Sequence, residues 1–302
     1  MMKKMIAMAM ASMMVFGLAA CGSSNTETST DNSAGTSTSS EGEKLTGSIT
    51  GSGSSALLPL AKDAAEEFKK DNPNVSITFN GGGSGTGLKQ VADGSVDIGN
   101  SDVEAESKLE AEQASQLVDH KVCVVTMAPV INKELAEQGV TDLTTEQLID
   151  IFTGEVDNWS AVGGPDEPIV LVTRPATSGT RALFQEFALD GNEEASGQAL
   201  ETDDSGTLLQ SVADNVGAIG YIALPYLTNN DSVATVAING VEPTMENTYN
   251  GTYPVWGYEH MYTKGEPEGA LKAFLDFIQS DEYGEKMEAQ GYCVTSKMTV
   301  TR

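Results

Sequence analysis

From Leu45 onward, short apolar stretches alternating in period two give way repeatedly to stretches with apolar residues three and four apart. That is the pattern of strands interleaved with helices in a layered α/β fold. Residues 47–51 predict a first strand. Residues 59–70 predict a helix whose Leu60, Ala61, Ala64, Ala65 and Phe68 keep the helical period, with Pro59 tolerated in its first turn. Residues 75–79 alternate as a strand, 88–91 lie in a short helix, and 96–99 form a further strand. Residues 122–130 are almost continuously apolar, as suits the middle of a sheet. A second block follows: helix 145–152, strand 169–173, helices 180–189 and 208–214, and the apolar stretch 217–222. The chain then predicts a strand near 253–262 and an amphipathic helix over 270–278. No tandem repeat is visible. Two α/β lobes with a ligand between them are the natural division.

The first twenty residues break this pattern. Lys3 and Lys4 precede an apolar run over residues 5–18, too short to span a membrane and read as a secretion signal. Leu18-Ala19-Ala20-Cys21-Gly22 resembles a bacterial lipobox, in which Cys21 becomes the lipidated first residue of the mature protein. A cleaved signal with an incidental cysteine is the alternative. Residues 22–44 are mostly Ser and Thr, and Ala34 is their only aliphatic side chain. Such a segment buries too little surface to offset its ordering entropy and is expected to be a tether. As a random coil it reaches roughly 25–30 Å.

The formal net charge is −27, and removing Lys3 and Lys4 with the signal leaves −29. So acidic a chain is a poor partner for nucleic acid or anionic lipid surfaces. Cys123 and Cys293 remain besides Cys21, and outside the cell they are equally consistent with a disulfide and with two buried thiols. His120 and His260 are the only histidines and belong to no metal-spaced cluster. No catalytic residue, metal or cofactor is expected.

Three segments share one design, a strand followed by a Gly/Ser/Thr turn and then a helix: residues 51–56, 81–87 and 177–180. Each sets hydroxyls and unpaired backbone N–H groups at a helix amino terminus, where the dipole favours an anion. Taken singly, each is more simply an N-cap or turn. Nucleotide and nucleophile-elbow signatures fail: Lys89 lacks its preceding glycine, and Gly82-Gly83-Ser84-Gly85 is followed by Thr86. Arg174 ends the strand 169–173, where a guanidinium can make paired hydrogen bonds to an oxyanion. Asp102 lies just beyond the strand 96–99 and, alone, reads as a turn residue.

Taken together, Gly53-Ser54-Ser55-Ala56, residues 83–90, Asp97-Ile98-Gly99-Asn100-Ser101-Asp102 and residues 174–180 resemble the binding segments of the phosphate-binding component of the bacterial phosphate ABC importer. Residues 150–159 and 217–221 resemble that family too, in the family's order. The resemblance implies a type II periplasmic-binding-protein fold: two lobes, two crossovers, ligand in the cleft. Its implied boundaries are 1–20 for the lipoprotein signal peptide, 21–44 for the lipidated cysteine and tether, 45–127 with 226–302 for lobe 1, and 128–225 for lobe 2. It implies phosphate ligands Ser55, Ala56 (backbone N–H), Ser84, Ser178, Gly179 (backbone N–H) and Thr180. Arg174 is then the cationic ligand and Asp102 the acceptor for a phosphate proton. Two positions depart from the family pattern. Ala56 replaces a bulkier residue, and Ala176 stands where some members carry an acid, which leaves the orientation of Arg174 open. The expected protein is a monomeric, lipid-anchored carrier on the extracytoplasmic face, handing phosphate to membrane permease subunits. A carrier of sulfate, molybdate or tungstate is the alternative, followed by a secreted phosphatase.

Overall fold

The computed structural model describes residues 44–195 and 199–302. The signal, Cys21 and the tether up to residue 43 therefore lie outside the described residues. In chain order the strands are β1 (Gly47–Gly53), β2 (Val75–Asn80), β3 (Ile98–Ser101), β4 (Leu117–Asn132), β5 (Asp142–Leu143) and β6 (Val170–Thr173). They continue with β7 (Leu200–Glu201), β8 (Ala218–Ala223), β9 (Val233–Thr235), β10 (Ala237–Ile238) and β11 (Trp256–Lys264). A nine-stranded sheet runs β2-β1-β3-β11-β4-β8-β6-β7, with β9 added beside β4, while β5 and β10 pair separately.

The strand β4 joins the two halves. Its residues 117–126 pair antiparallel with β11, and Met127–Ile131 pair with β8. It is buried without interruption from Val122 on, which explains its apolar sequence. On either side the pairs β1–β2, β1–β3 and β6–β8 are parallel, and a parallel pair needs a crossover, here helical. The helix Leu58–Asp71 buries the predicted Leu60, Ala61, Ala64, Ala65 and Phe68. Phe68 meets Phe274 edge-on at 5.6 Å between ring centroids, on the helix Gly269–Ile278. The other half has its own aromatic cluster, in which Phe184 stacks on Tyr221 at 4.5 Å and Phe152 lies 5.0 Å from Phe184. Such pairs add about 0.5–1.5 kcal/mol each beyond area burial.

Three departures from the sequence pattern have physical causes. Helices Ser84–Asp93 and Ser205–Asp214 each begin before the predicted 88 and 208. Their first turns are Ser-Gly-Thr, which carry no apolar side chain for the period to detect. The helix Asp281–Ala289 is unpredicted, being mostly charged, and starts from a Ser280 cap accepting from Tyr283 N at 3.2 Å. Finally, β9 and β10 are unpredicted: β9 hydrogen-bonds to Val130–Asn132 of β4, and β10 pairs with β5. The chain leaving β8 thus turns back along the second half before it reaches β11.

Candidate functional site

Four helices start beside one another's polar turns. Before Leu58–Asp71, Ser54 Oγ accepts from Leu57 N at 2.9 Å. Gly83 leads into Ser84–Asp93 at φ 82°, a left-handed conformation that glycine adopts without strain. Ser178 caps Gly179–Ala188 by accepting from Arg181 N at 3.2 Å. Asp204 caps Ser205–Asp214 by accepting from Thr207 N at 2.9 Å. Each first turn presents N–H groups without intrahelical partners and the positive end of a dipole.

Every predicted ligand residue is buried. Ser55, Ala56, Ser84, Asp102, Arg174, Ser178 and Thr180 are at most 3% exposed, and Gly179 is buried with them. Ser55 Oγ lies 2.8 Å from Ser205 Oγ, which accepts from Arg174 Nη1 at 3.1 Å. Thr180 Oγ1 donates to Asp102 Oδ2 at 2.9 Å, and the Asp102 backbone N–H donates to Ser84 Oγ at 3.0 Å. A Cβ on Gly179 would overlap Ser84 Oγ and stand 2.8 Å from Asp102 Cβ, so only glycine lets these turns approach. Ala56 is tied from behind, its carbonyl accepting from Tyr292 Oη at 2.6 Å. Ser178 spends its hydroxyl oxygen on its own helix cap.

Arg174 is oriented by neutral groups. Its Nε donates to Thr202 O at 3.1 Å and its Nη2 to Asp203 O at 2.9 Å. With the bond to Ser205 these use three of five N–H donors, leaving one on each terminal nitrogen. Ala176 offers no carboxylate, and the backbone carbonyls replace it. Burial lowers the guanidinium's pKa, opposed by Tyr221 and Asp102 nearby. Further contacts tie the turns together: Gly85 N donates to Thr177 O at 2.9 Å, Lys108 Nζ to Ala176 O at 3.0 Å, and Tyr226 Oη to Ser55 O at 2.7 Å.

The sequence matches the PBP superfamily domain over residues 29–282. It is also 49% identical to the phosphate-binding protein PstS of Bacillus subtilis, over 86% of this chain and 85% of that one. The chain belongs to this phosphate-binding family of the PBP superfamily. Among solved structures it is similar to one from Clostridium perfringens described as a phosphate ABC transporter substrate-binding protein with bound phosphate. That similarity has TM-score 0.74 and 34% identity, covering 82% of this chain and 99% of that one. An ABC-type phosphate transport receptor from Vibrio cholerae matches with TM-score 0.65 and 27% identity, over 81% and 99%. The fold is that of type II periplasmic binding proteins.

Ser205 is the site residue that sequence reasoning misses. The signal was present: Ser205-Gly206-Thr207 repeats the triplets Ser84-Gly85-Thr86 and Ser178-Gly179-Thr180. A cavity of about 510 Å³, lined by Lys108, Phe187, Tyr258, His260 and Arg302 among others, touches the predicted set only at Asp102. The converging donors, rather than that roomier cleft, define the site. Cys123 and Cys293 are free, buried thiols. Among the described residues no cluster of His, Cys, Asp and Glu could hold a metal, and no helix is long and apolar enough to cross a membrane.

Proposed function

We propose that this chain captures inorganic phosphate outside the cytoplasm and delivers it to the permease subunits of an ABC importer. The observation that carries this reading is a buried pair of opposite charges, Arg174 and Asp102, among hydroxyls and helix amino termini. The two free N–H donors of Arg174, the hydroxyls of Ser55, Ser84 and Ser178, and the amides of Ala56 and Gly179 offer a tetrahedral oxyanion donors from several sides, and Thr180 joins them only by turning its one hydroxyl hydrogen from Asp102 to the ligand. Asp102 adds the acceptor. Phosphate keeps at least one proton near neutral pH and can donate it there, whereas sulfate has none. A carboxylate facing an unprotonated oxygen costs several kcal/mol, more than the roughly 1–3 kcal/mol of an unmet polar group.

The net charge of −27 opposes this binding little, since surface charge is screened beyond roughly 8–10 Å while the donors act at contact. Its effect falls on the association rate. In this reading residues 45–127 and 242–302 form lobe 1, and 128–241, extended to keep β9 and β10, form lobe 2. The bonds Gly85–Thr177, Lys108–Ala176 and Ser55–Ser205 then join the two lobes and complete the donor set on closure. In this reading the protein is a monomeric carrier and not an enzyme. Signal cleavage and lipidation at Cys21 anchor it to the membrane. Cys21→Ser should release it into the soluble fraction with binding intact, and continued membrane retention would point to another anchor.

Calorimetric competition among phosphate, arsenate, sulfate and molybdate tests the ligand. Phosphate should win over sulfate, and Asp102→Asn should erode that margin because an amide can turn its NH₂ toward an unprotonated oxygen. A variant that rejects sulfate as strongly as the wild type removes Asp102 from this role.

A further inference from the structure

Buried on the far side of Asp102 is a second carboxyl that recognition, as described so far, does not use. Glu259 lies in β11, fully buried, at the point where pairing with β4 slips by one residue. Antiparallel pairing of β11 with β3 ends at His260 and Ser101, the residues next to Glu259 and Asp102. The Asp102 carboxyl and the Ser54 hydroxyl lie near the Glu259 carboxyl. Yet Glu259 Oε1, Glu259 Oε2 and Asp102 Oδ1 are all buried without a hydrogen-bond partner. Three orphaned acceptors around one contact are the signature of a missing proton, because two adjacent carboxylates cannot both be charged in a dry site.

The surroundings decide which acid holds that proton. Asp102 accepts from Thr180 Oγ1, packs against the first turn of Gly179–Ala188, and lies close enough to Arg174 to feel its charge. Those contacts offer Asp102 a donor and the positive end of a helix dipole. Glu259 has no such help. The ionisable groups around it are Asp102 itself, Cys123 opposite it on β4, and Tyr292, none of them cationic. Burial first, and then the charge of Asp102, push its carboxyl well above the usual range.

We propose that Glu259 is a positioning residue for oxyanion selection: its neutral carboxyl donates to Asp102 Oδ1, fixing the Asp102 carboxylate as an acceptor for the ligand's proton. The proton on Glu259 holds Asp102 in its acceptor role, so that a carboxylate, not a carboxylic acid, meets the anion. The idea rests on the reading that Asp102 faces the phosphate proton.

Infrared spectra of the full chain and its variants locate the proton directly. They are taken well above the value of about 7 to which burial raises Glu194, so that this other buried acid is ionised. The wild type should show a protonated-carboxyl band that disappears in Glu259→Gln and persists in Asp102→Asn. No difference between wild type and Glu259→Gln, or loss of the band in Asp102→Asn, overturns the proposal. Binding supplies the second readout. Glu259→Gln keeps a neutral donor and should hold phosphate affinity within about threefold with sulfate still rejected. Glu259→Met keeps the length but removes the donor and should weaken phosphate binding about tenfold or more. Unchanged affinity in Glu259→Met, or collapse of binding in a folded Glu259→Gln, refutes the positioning role. If Glu259→Met does not fold, the bands and the glutamine variant still decide. Should Asp102→Asn bind and discriminate like the wild type while the bands behave as expected, the reading of Asp102 has failed and not the location of the proton.

Discussion

Arg174 and Asp102 are buried to nearly the same degree, 1% and 2% exposed, yet the fold treats the two charges in opposite ways. The arginine's hydrogen-bond partners are neutral: two backbone carbonyls and the Ser205 hydroxyl take three donors at 2.9–3.1 Å. Around the aspartate the fold places a second acid, Glu259, and leaves oxygens that only a proton can satisfy. A guanidinium held by dipoles keeps two donors for an incoming anion, because no carboxylate is hydrogen-bonded to it. A carboxylate crowded by an acid can accept only from a group that brings hydrogen. The first side supplies affinity, whereas the second selects.

The largest effect should come from the arginine side. Arg174→Ala removes the one cation assigned to the ligand and strands the carbonyls of Thr202 and Asp203. Losing a desolvated charged partner typically costs about 2–5 kcal/mol, so phosphate affinity by calorimetry should fall by roughly 30-fold to a few thousandfold. Because the carboxyl pair is untouched, the ranking of phosphate over sulfate should survive at the weakened level. Near-wild-type affinity would remove Arg174 from the site and dissolve the contrast between the two sides.

How much of this is legible in the sequence follows the same division. Strands and helices with apolar faces read out well: Leu60, Ala61, Ala64, Ala65 and Phe68 fix their helix, and the run within β4 fixes a central strand. The site is legible where a turn carries hydroxyls before a recognisable helix, or where an arginine ends a strand. Ser205 escapes because its helix is detected only from Leu208, when side chains begin to pack. Glu259 escapes for a deeper reason. It sits in Trp256-Gly257-Tyr258-Glu259-His260, where strand alternation leaves its facing undetermined and a slip in pairing resets it. The return of β9 along β4 is a non-local pairing that no short-range period encodes.

An intermediate effect should come from Ser205→Ala. The hydroxyl accepts from Arg174 Nη1 and meets Ser55 Oγ, so its loss frees both groups without removing charge. A hydrogen bond from a charged group is worth about 1.5–3 kcal/mol, a loss of phosphate affinity of about tenfold to a hundredfold by calorimetry. Sulfate rejection should again be unmoved. A loss as large as that of Arg174→Ala would mean that Ser205 contacts the ligand directly instead of holding the arginine.

The smallest effect concerns stability, and it sets a third buried acid beside Glu259. Glu194 is 5% exposed and lies 3.3 Å from Arg181 Nε, and Arg181 Nη1 in turn donates to the Arg174 carbonyl at 2.6 Å. Burial raises the Glu194 carboxyl to about 7, with the charge of Arg181 pulling the other way. Its pKa in the folded protein thus exceeds the unfolded value, so the native state binds more protons between the two, and stability must fall as pH rises through that window. The favourable contribution is complete below the unfolded pKa near 4.5 and is lost by the time pH passes about 7. Glu194→Gln carries no titrating group there. Its thermal-unfolding midpoint should decline less than the wild type's as pH rises from 5 to 8, with phosphate affinity at fixed pH little changed, because the arginine side draws its hold on Arg174 from carbonyls and Ser205. Parallel stability curves for the two proteins would show that Arg181 compensates the Glu194 charge fully, unlike Glu259, which has no cation to do so.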